Sequence, residues 1–473
     1  MRTTKVLLLG LGRFGGGTAT VRYLAGLGYR IRVADQAEPE TLRESVASLA
    51  DLPRLEFCLG RNDDFLIDGV DLVVCNPAIP SKHRLLTRAA AEGIPVTQEV
   101  NIFLSSYPGR VVAVTGTNGK SSTATLLAAA LRRMGIATLL GGNIGHSLLD
   151  DAGNWGERQV AVLELSSFQL ERVDPTQHRV AGTVFTRVTE DHLDRHGTVK
   201  AYHAAKAKAA AMAGEFLVHE AGDEVVAAME HTADRTLTYG TSAADVSITA
   251  TATGRELWSR LEGDPGLVLT EAALAMPGSY QLRNAAAAYA AASQFGIGNR
   301  HATGFAMAIT PPLPHRLQLA ASVDGIRIFD NSVSTQVEST LSALSSLRGR
   351  VHWVGGGKSK DGRFQEPGRE LSSQVATAHL FGSAAPELSR AMADRVTTTV
   401  HDGLEDALDA AWAQSRAGET ILFSPAFASF DQFPNFAARA ARFEAWVDRV
   451  RHAEHASGTA SAVSPADGSR PPG

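Results

Sequence analysis

Val111-Val112-Ala113-Val114-Thr115-Gly116-Thr117-Asn118-Gly119-Lys120-Ser121-Ser122-Thr123 decides how this chain is read. A β-branched apolar run enters a turn that carries two glycines. Lys-Ser-Ser follows, and the next residues predict a helix over 124–132. Strand, loop, helix is the layout of a phosphate-binding loop. Gly116 and Gly119 tolerate left-handed backbone, so the loop can curl until its N–H groups and the helix N-terminus face an anion. Lys120 brings a point charge to the β- and γ-phosphates, and Ser121 or Ser122 a hydroxyl to Mg²⁺. Val114 stands where the common pattern has its first glycine, so an ordinary glycine-bearing strand–helix turn is the competing reading.

On the N-terminal side, Lys5-Val6-Leu7-Leu8-Leu9 runs into Gly10-Leu11-Gly12-Arg13-Phe14-Gly15, a G-x-G-x-x-G turn after a strand. A helix over 18–27 and a strand over 29–34 follow, and the strand ends at Asp35. This is a Rossmann-type pattern. It fits NAD, but the same geometry serves any diphosphate held on a helix N-terminus. Further strands are expected at 55–57 and 70–75, and Ser105-Ser106-Tyr107-Pro108-Gly109 reads as a boundary.

On the C-terminal side, strands at 137–140, 159–165 and 180–185 alternate with helices, an α/β pattern with buried parallel strands. Gly142-Asn143, Glu164 and Thr189-Glu190-Asp191-His192 follow strand ends, so all fall on the carboxyl edge beside the phosphate loop. Oxygen ligands there suit Mg²⁺, with Glu164 at a strand tip, while His192 reads as a ligand, a capping group or a satisfied polar residue. Residues 198–212 predict a helix, 217–269 give short mixed signals, and 284–294 predict a helix. Pro311-Pro312-Leu313-Pro314 is a stiff connector. Strands at 326–329, 351–354 and 420–423, with helices at 339–347 and 404–414, make a third α/β unit. The expected fold is therefore α/β in three domains. Residues 1–107 form a Rossmann-like domain, 108–312 a central P-loop ATPase-like domain on a parallel sheet, and 313–454 a Rossmann-like α/β domain. A disordered Ser/Ala/Pro/Gly-rich tail is expected over 455–473.

The chain has 473 residues, 44% apolar and 20% charged, as in an ordinary soluble enzyme. A net charge of −5 argues against non-specific nucleic-acid binding. Cys58 and Cys75 lie in apolar runs and read as buried thiols of a reducing compartment. No stretch reads as a secretory leader or reaches the ~18–20 apolar residues of a membrane span, so a cytoplasmic protein is expected.

These motifs together resemble the Mur ligase family. The resemblance rests on Thr115 to Ser121, Gly142-Asn143-Ile144-Gly145, Leu163 to Glu171, Val188 to Arg195, Leu313-Pro314-His315-Arg316 and Leu422 to Phe436. It covers nearly the whole chain apart from the tail. It implies an ATP-dependent, Mg²⁺-using amide ligase of peptidoglycan precursor synthesis. The branch it resembles most joins D-glutamate to UDP-N-acetylmuramoyl-L-alanine through an acyl phosphate. By resemblance the first domain holds UDP, through Gly12, Arg13, Phe14, Asp35 and Gln36, with Asn143 on the same substrate. The triphosphate falls to Gly116, Thr117, Asn118, Gly119, Lys120, Ser121 and Ser122, with Asn284 near the adenine and Arg316 on the γ-phosphate. Glu164 and His192 would bind Mg²⁺ with Ser121, and Lys206 would carry a carbamate for a second Mg²⁺. On residue type alone Lys206 reads as a solvated helix lysine. Thr335, Ser429, Phe436 and either Lys358 or Lys360 match the glutamate-binding positions.

Departures from the family pattern concentrate at Asp330-Asn331-Ser332-Val333-Ser334-Thr335. Asn331 replaces an aspartate expected at the ribose, and Val333 replaces a lysine. Tyr280-Gln281 and Arg187 also differ. The Ser332–Thr335 run is similar to the L-glutamate-using branch, which stays an alternative, as does a non-catalytic UDP-sugar-binding relative. A monomer without nucleic-acid or membrane partners is expected.

Overall fold

The computed structural model describes residues 4–13, 15–278, 280–359 and 362–460. Phe14, Lys360 and 461–473 lie outside the described residues. The chain divides into two compact units, one up to Leu274 together with Gln281–Thr310, the other Ala275–Tyr280 together with Pro311 onward.

The first unit holds two sheets. Strands β1 (Lys5–Leu9), β2 (Arg30–Asp35), β3 (Leu55–Leu59), β4 (Leu72–Cys75) and β5 (Val96–Thr97) are all parallel in the order 3-2-1-4-5. That is the Rossmann arrangement, with its crevice at the end of β1. The β1 residues Val6 to Leu9 are buried, as a strand covered on both faces must be. Of the two cysteines only Cys75 is buried. Cys58 is half-buried beside Glu56, because its strand β3 is a sheet edge.

The second sheet contains β6 (Arg110–Thr115), β7 (Thr138–Gly142), β8 (Val160–Glu164), β9 (Val180–Phe185), β10 (Ala213–Glu220), β11 (Arg235–Gly240), β12 (Val246–Thr251), β13 (Gly254–Ser259) and β14 (Gly266–Thr270). Their order is 14-13-12-11-10-9-6-8-7. Pairing is parallel from β7 across to β12, as expected, and antiparallel where β13 and β14 extend the edge. The helix Lys120–Arg133 packs on this sheet with Ala124, Leu127, Ala128 and Leu131 fully buried. The Ala-rich helix Gln281–Ser293 lies against it, and its small side chains allow close approach.

The second unit holds β15 (Gln318–Val323), β16 (Ile326–Asp330), β17 (Val351–Gly356), β18 (Thr377–Phe381), β19 (Thr397–His401) and β20 (Thr420–Ala426), in the order 15-16-20-17-18-19. All neighbours are parallel except the β15–β16 pair. Trp353, Phe423, Phe443 and Trp446 fill its two faces. The helix Phe436–Ala460 runs on past the start of the stretch read as a tail, which corrects that boundary. Among the described residues no helix is long and apolar enough to cross a membrane.

Candidate active site

Strand register brings Thr115, Gly142 and Glu164 of the second sheet to one level. Val114 pairs with Glu164, Thr115 with Phe185, and Glu164 with Gly142. Four strand ends therefore finish together at the carboxyl edge, where β6 is flanked by β8 and β9 and β7 lies beside β8. The pairing continues into the loops. Thr186 N–H donates to Thr115 O (2.8 Å), Thr117 N–H to Arg187 O (2.9 Å), and Asn143 N–H to Glu164 O (2.9 Å).

The loop itself needs its glycines. Gly116 has φ 139° and Gly119 φ 85°, both in the left-handed range. A Cβ on Gly116 would overlap Thr186 Oγ1, and one on Gly119 would overlap Asn284 Oδ1. The helix starts at Lys120, earlier than expected, with Gly119 as N-cap and no side-chain cap among the described residues. A helix N-terminus that opens on such a loop is the usual anion site. Lys120 Nζ donates to Gly116 O (3.2 Å) and Thr117 O (2.7 Å), folding back over the loop. Ser121 and Ser122 are buried beneath it, and Asn118 is exposed at its tip.

Asn284 is buried and donates to Gln281 Oε1 (2.9 Å), while Gln281 Nε2 reaches Ser122 Oγ at 3.5 Å. So Asn284 stands on the loop's flank, against Gly119. Gly12 N–H donates to Asp35 Oδ2 (3.0 Å), and Asp35 Oδ1 accepts from Ala37 N–H (2.9 Å). Asp35 thus braces the glycine turn with one oxygen and caps its own strand end with the other. Arg13 and Gln36 are exposed beside it.

Glu164 is 2% exposed. Its Oε1 accepts from Asn143 Nδ2 (3.1 Å), and its Oε2 is buried with no hydrogen-bond partner among the described residues. An orphaned buried carboxylate oxygen at a strand tip is destabilising unless something binds it, and a hard cation suits it. His192 sits at φ 52°, ahead of the short helix Leu193–His196, with Nε2 3.5 Å from Asp191 Oδ2. A carboxylate behind an imidazole orients the ring, as behind metal-bound histidines. The His192 ring lies 4.8 Å from that of Phe168. The orphaned Glu164 Oε2 suits a magnesium ligand, while among the described residues no group of three or more His, Cys, Asp or Glu side chains is gathered as a metal site.

Lys206 is only 1% exposed. Its Nζ donates to Thr115 Oγ1 (2.9 Å) and Gly116 O (2.7 Å), against the phosphate loop. Burial pushes its amine well below the usual lysine range, and the Lys120 charge adds to this, while Asp191 and Glu164 oppose it. A solvated helix lysine it is not. Tyr202, on the same helix face, places its OH 2.9 Å from Thr117 Oγ1, and burial raises that phenol to about 12. Sequence reasoning passed over Tyr202, although i, i+4 spacing to Lys206 on a helix is a signal.

In the second unit, Lys358 N–H donates to Ala428 O (2.7 Å) and Lys358 O accepts from Ala428 N–H (3.2 Å), which brings Lys358 next to Ser429. Lys358 is exposed and Ser429 buried, and Phe436 is the first residue of its long helix. Arg439, fully buried, donates to Phe427 O (3.0 Å) and to Ser332 O and Ser334 O (3.4 Å each). It ties the segment before Thr335 to the one before Ser429. Burial pushes its guanidinium down to about 10. No pattern in its helix announced it. Arg316 is half-buried, with its N–H on Leu313 O (3.2 Å). Asn331 is held within the fold. It is 3% exposed, its Oδ1 accepts from Leu317 N–H (3.1 Å) and its Nδ2 donates to Ser424 Oγ (2.9 Å). One lone pair and one N–H of the amide are used inside the fold, which holds the side chain away from solvent.

Three family models match consecutive blocks of the chain. They are the Mur ligase MurD-like N-terminal domain over 4–98, the Mur ligase middle domain over 114–292 and the Mur ligase glutamate ligase domain over 315–427. The chain is 32% identical over 444 residues to the UDP-N-acetylmuramoylalanine--D-glutamate ligase of Pelotomaculum thermopropionicum, covering 93% of this chain and 96% of the relative. To the ligase of the same name from Roseiflexus sp. it is 34% identical over 462 residues, covering 94% and 98%. Among solved structures, UDP-N-acetylmuramate-alanine ligase MurC from Thermotoga maritima superposes with a TM-score of 0.63 over 95% of this chain and 99% of that one, at 16% identity, a likeness of fold.

Proposed function

This chain belongs to the Mur ligase family, and from that premise we propose that it joins D-glutamate to UDP-N-acetylmuramoyl-L-alanine with hydrolysis of ATP to ADP and phosphate. The observation that carries the reading is the shared level of the phosphate loop, Asn143 and the buried, partnerless Glu164 Oε2 at one sheet edge. A carboxylate and a triphosphate repel, so bringing them together calls for concentrated cation and dipole.

The substrate carboxylate attacks the γ-phosphorus and ADP leaves. The glutamate amine then attacks the acyl phosphate carbon, loses a proton and expels phosphate as the amide forms. Lys120 and the helix N-terminus at Ser121 and Ser122 hold the triphosphate, with Asn284 beside it. Arg316 is assigned the γ-phosphate on family resemblance. Ser121, Glu164 and His192 would hold Mg²⁺, which supplies charge neutralisation between the phosphates and the attacking carboxylate. The depressed Lys206 amine keeps a lone pair, so it can add to carbon dioxide and lose a proton to give a carbamate, an anion suited to a second Mg²⁺. Residues 1–107 are assigned to UDP, 108–312 to ATP and 313–454 to glutamate, through Thr335, Lys358, Ser429 and Phe436. Lys358 is preferred over Lys360 because its pairing with Ala428 sets it beside Ser429. The protein works in the cytoplasm.

The name carried by both relatives supports D-glutamate, while the Ser332–Thr335 run supports the L-form. A coupled phosphate-release assay with UDP-N-acetylmuramoyl-L-alanine decides it. The expected result is a kcat/KM for D-glutamate at least ~100-fold above that for L-glutamate, since a misplacement of about 1 Å costs that much. Preference for the L-form overturns the stereochemical assignment, and no phosphate release with either overturns the ligase.

A further inference from the structure

We propose that Arg195 and Arg172 are positioning residues that lock the diphosphate turn of the first sheet to the metal-ligand edge of the second. The inference rests on the ligase reading for its kinetic arm only.

The loop Asn76-Pro77-Ala78-Ile79-Pro80-Ser81 leaves the carboxyl end of β4 and backs the diphosphate turn. Asn76 N–H donates to Leu9 O (2.9 Å), and a Cβ on Gly10 would come within 2.8 Å of Asn76 Cβ. Where this loop goes, the turn must follow. Two prolines take N–H donors out of the loop, and three successive carbonyls face the second sheet's arginines. Arg195 donates to Ala78 O (2.9 Å), Pro77 O (3.2 Å) and Ile79 O (3.0 Å). Arg172 donates to Ile79 O and, at 3.5 Å, to Pro77 O.

Both arginines come from segments that carry candidate metal ligands. Arg195 lies on the short helix that follows His192, and Arg172 follows the strand tip of Glu164 through the Ser166–Glu171 turn. Glu171 joins them to the loop. Its carboxylate accepts from Arg195 (3.0 Å) and Ser81 Oγ (3.4 Å) and lies 3.2 Å from His196 Nδ1. Side-chain exposure is 12% for Arg195 and 17% for Glu171, so water does not compete freely for these bonds. The Arg195 guanidinium also sits 5.0 Å from the Phe168 ring centre, on the ring that packs against His192. One planar fork therefore touches the UDP-side loop and the platform of a metal ligand. A lysine could not, because a single ammonium cannot span three carbonyls and a ring face.

The test is hydrogen exchange on the full chain, with Arg195→Met and Arg195→Lys, followed by kinetics. In Arg195→Met, amides of residues 74–83 and 9–16 should exchange about 10-fold faster, with the Lys120 loop unchanged. Affinity for UDP alone, by calorimetry, should stay within about 2-fold, because the turn keeps its own residues. With full substrate, kcat/KM for the UDP-sugar should fall about 10- to 100-fold at unchanged KM for ATP, and Arg195→Lys should recover only part of it. Unchanged exchange at 74–83 overturns the lock whatever the enzyme's substrate. Faster exchange with unchanged kcat/KM overturns its positioning role. Faster exchange in a chain whose wild type ligates no amino acid leaves the lock standing and overturns the ligase reading alone. If Arg195→Met does not fold, Glu171→Gln, which keeps shape and removes charge, carries the same comparison.

Discussion

Acid should loosen the second unit through one buried histidine. His379, on the central part of β18, is 1% exposed and lies in a ladder of side chains across three parallel strands. His352 Nδ1 lies 2.8 Å from Thr377 Oγ1, which lies 3.0 Å from His379 Nε2. His379 Nδ1 lies 3.1 Å from Thr399 Oγ1, which lies 2.9 Å from His401 Nε2. Glu419 closes the ladder on His352 Nε2 at 2.9 Å. Burial, with His401 and His352 as neighbours, pushes His379 from 6.5 down to about 4. The folded protein therefore holds His379 neutral, while the unfolded chain takes up a proton below pH ~6.5. Its contribution is fully present above that pH and is lost as pH falls towards about 4. A gap of about 2.5 units is worth about 3 kcal/mol, of which about 2 kcal/mol is gone by pH ~5. That is a large share of a typical domain stability of ~5–15 kcal/mol. Burial lowers His401 in the same direction. Urea unfolding of wild type and His379→Gln at pH ~7.5 and ~5, followed by Trp353 and Trp446 emission, measures it. A glutamine side chain cannot titrate, so the variant should lose about 2 kcal/mol less than wild type between the two pH values. Equal losses in both proteins would refute the assignment of the proton to His379.

Two further outcomes test the first unit. Lys120→Ala should reduce kcat by at least ~1,000-fold while calorimetry finds UDP-substrate binding intact, because Lys120 serves the phosphate loop and the diphosphate turn belongs to another sheet. Lys206→Ala should be nearly inactive, with partial rescue by chloride or a short carboxylate replacing the lost anion. ¹³C NMR of wild type in labelled bicarbonate should show a carbamate signal that the variant lacks.

Much of this site was legible because strand–loop–helix units place chemistry at strand tips. Val111–Thr115 and Gln159–Leu165 are apolar runs bounded by glycine or charge, the signature of buried parallel strands. The antiparallel pair β13–β14 escaped, since Thr253-Gly254 and Pro265-Gly266 interrupt short strands without clean alternation. Burial within Ala-rich helices was equally opaque. Alanine on every face of 199–212 hides which side meets the sheet, so nothing local separates Lys206 from a surface lysine. At Asn331 the hidden part is tertiary: no local pattern shows that its amide meets Leu317 and Ser424. The Arg195 and Arg172 contacts depend on a loop about a hundred residues upstream, which no local pattern reveals.

The register at the carboxyl edge also governs where this chain tolerates changes of length. Thr115, Glu164 and Gly142 meet because β6, β8 and β7 are paired in step, not because the segments between them have particular lengths. Residues inserted at the amino-terminal turns, such as between the exposed Glu157 and Arg158 before β8, loop out into solvent and leave the edge unmoved. One residue inserted within β8 turns Glu164 to the opposite face of the sheet and moves its carboxylate off the loop. Insertions and deletions are thus filtered by position, free at one end of the sheet and forbidden along the strands that lead to the other.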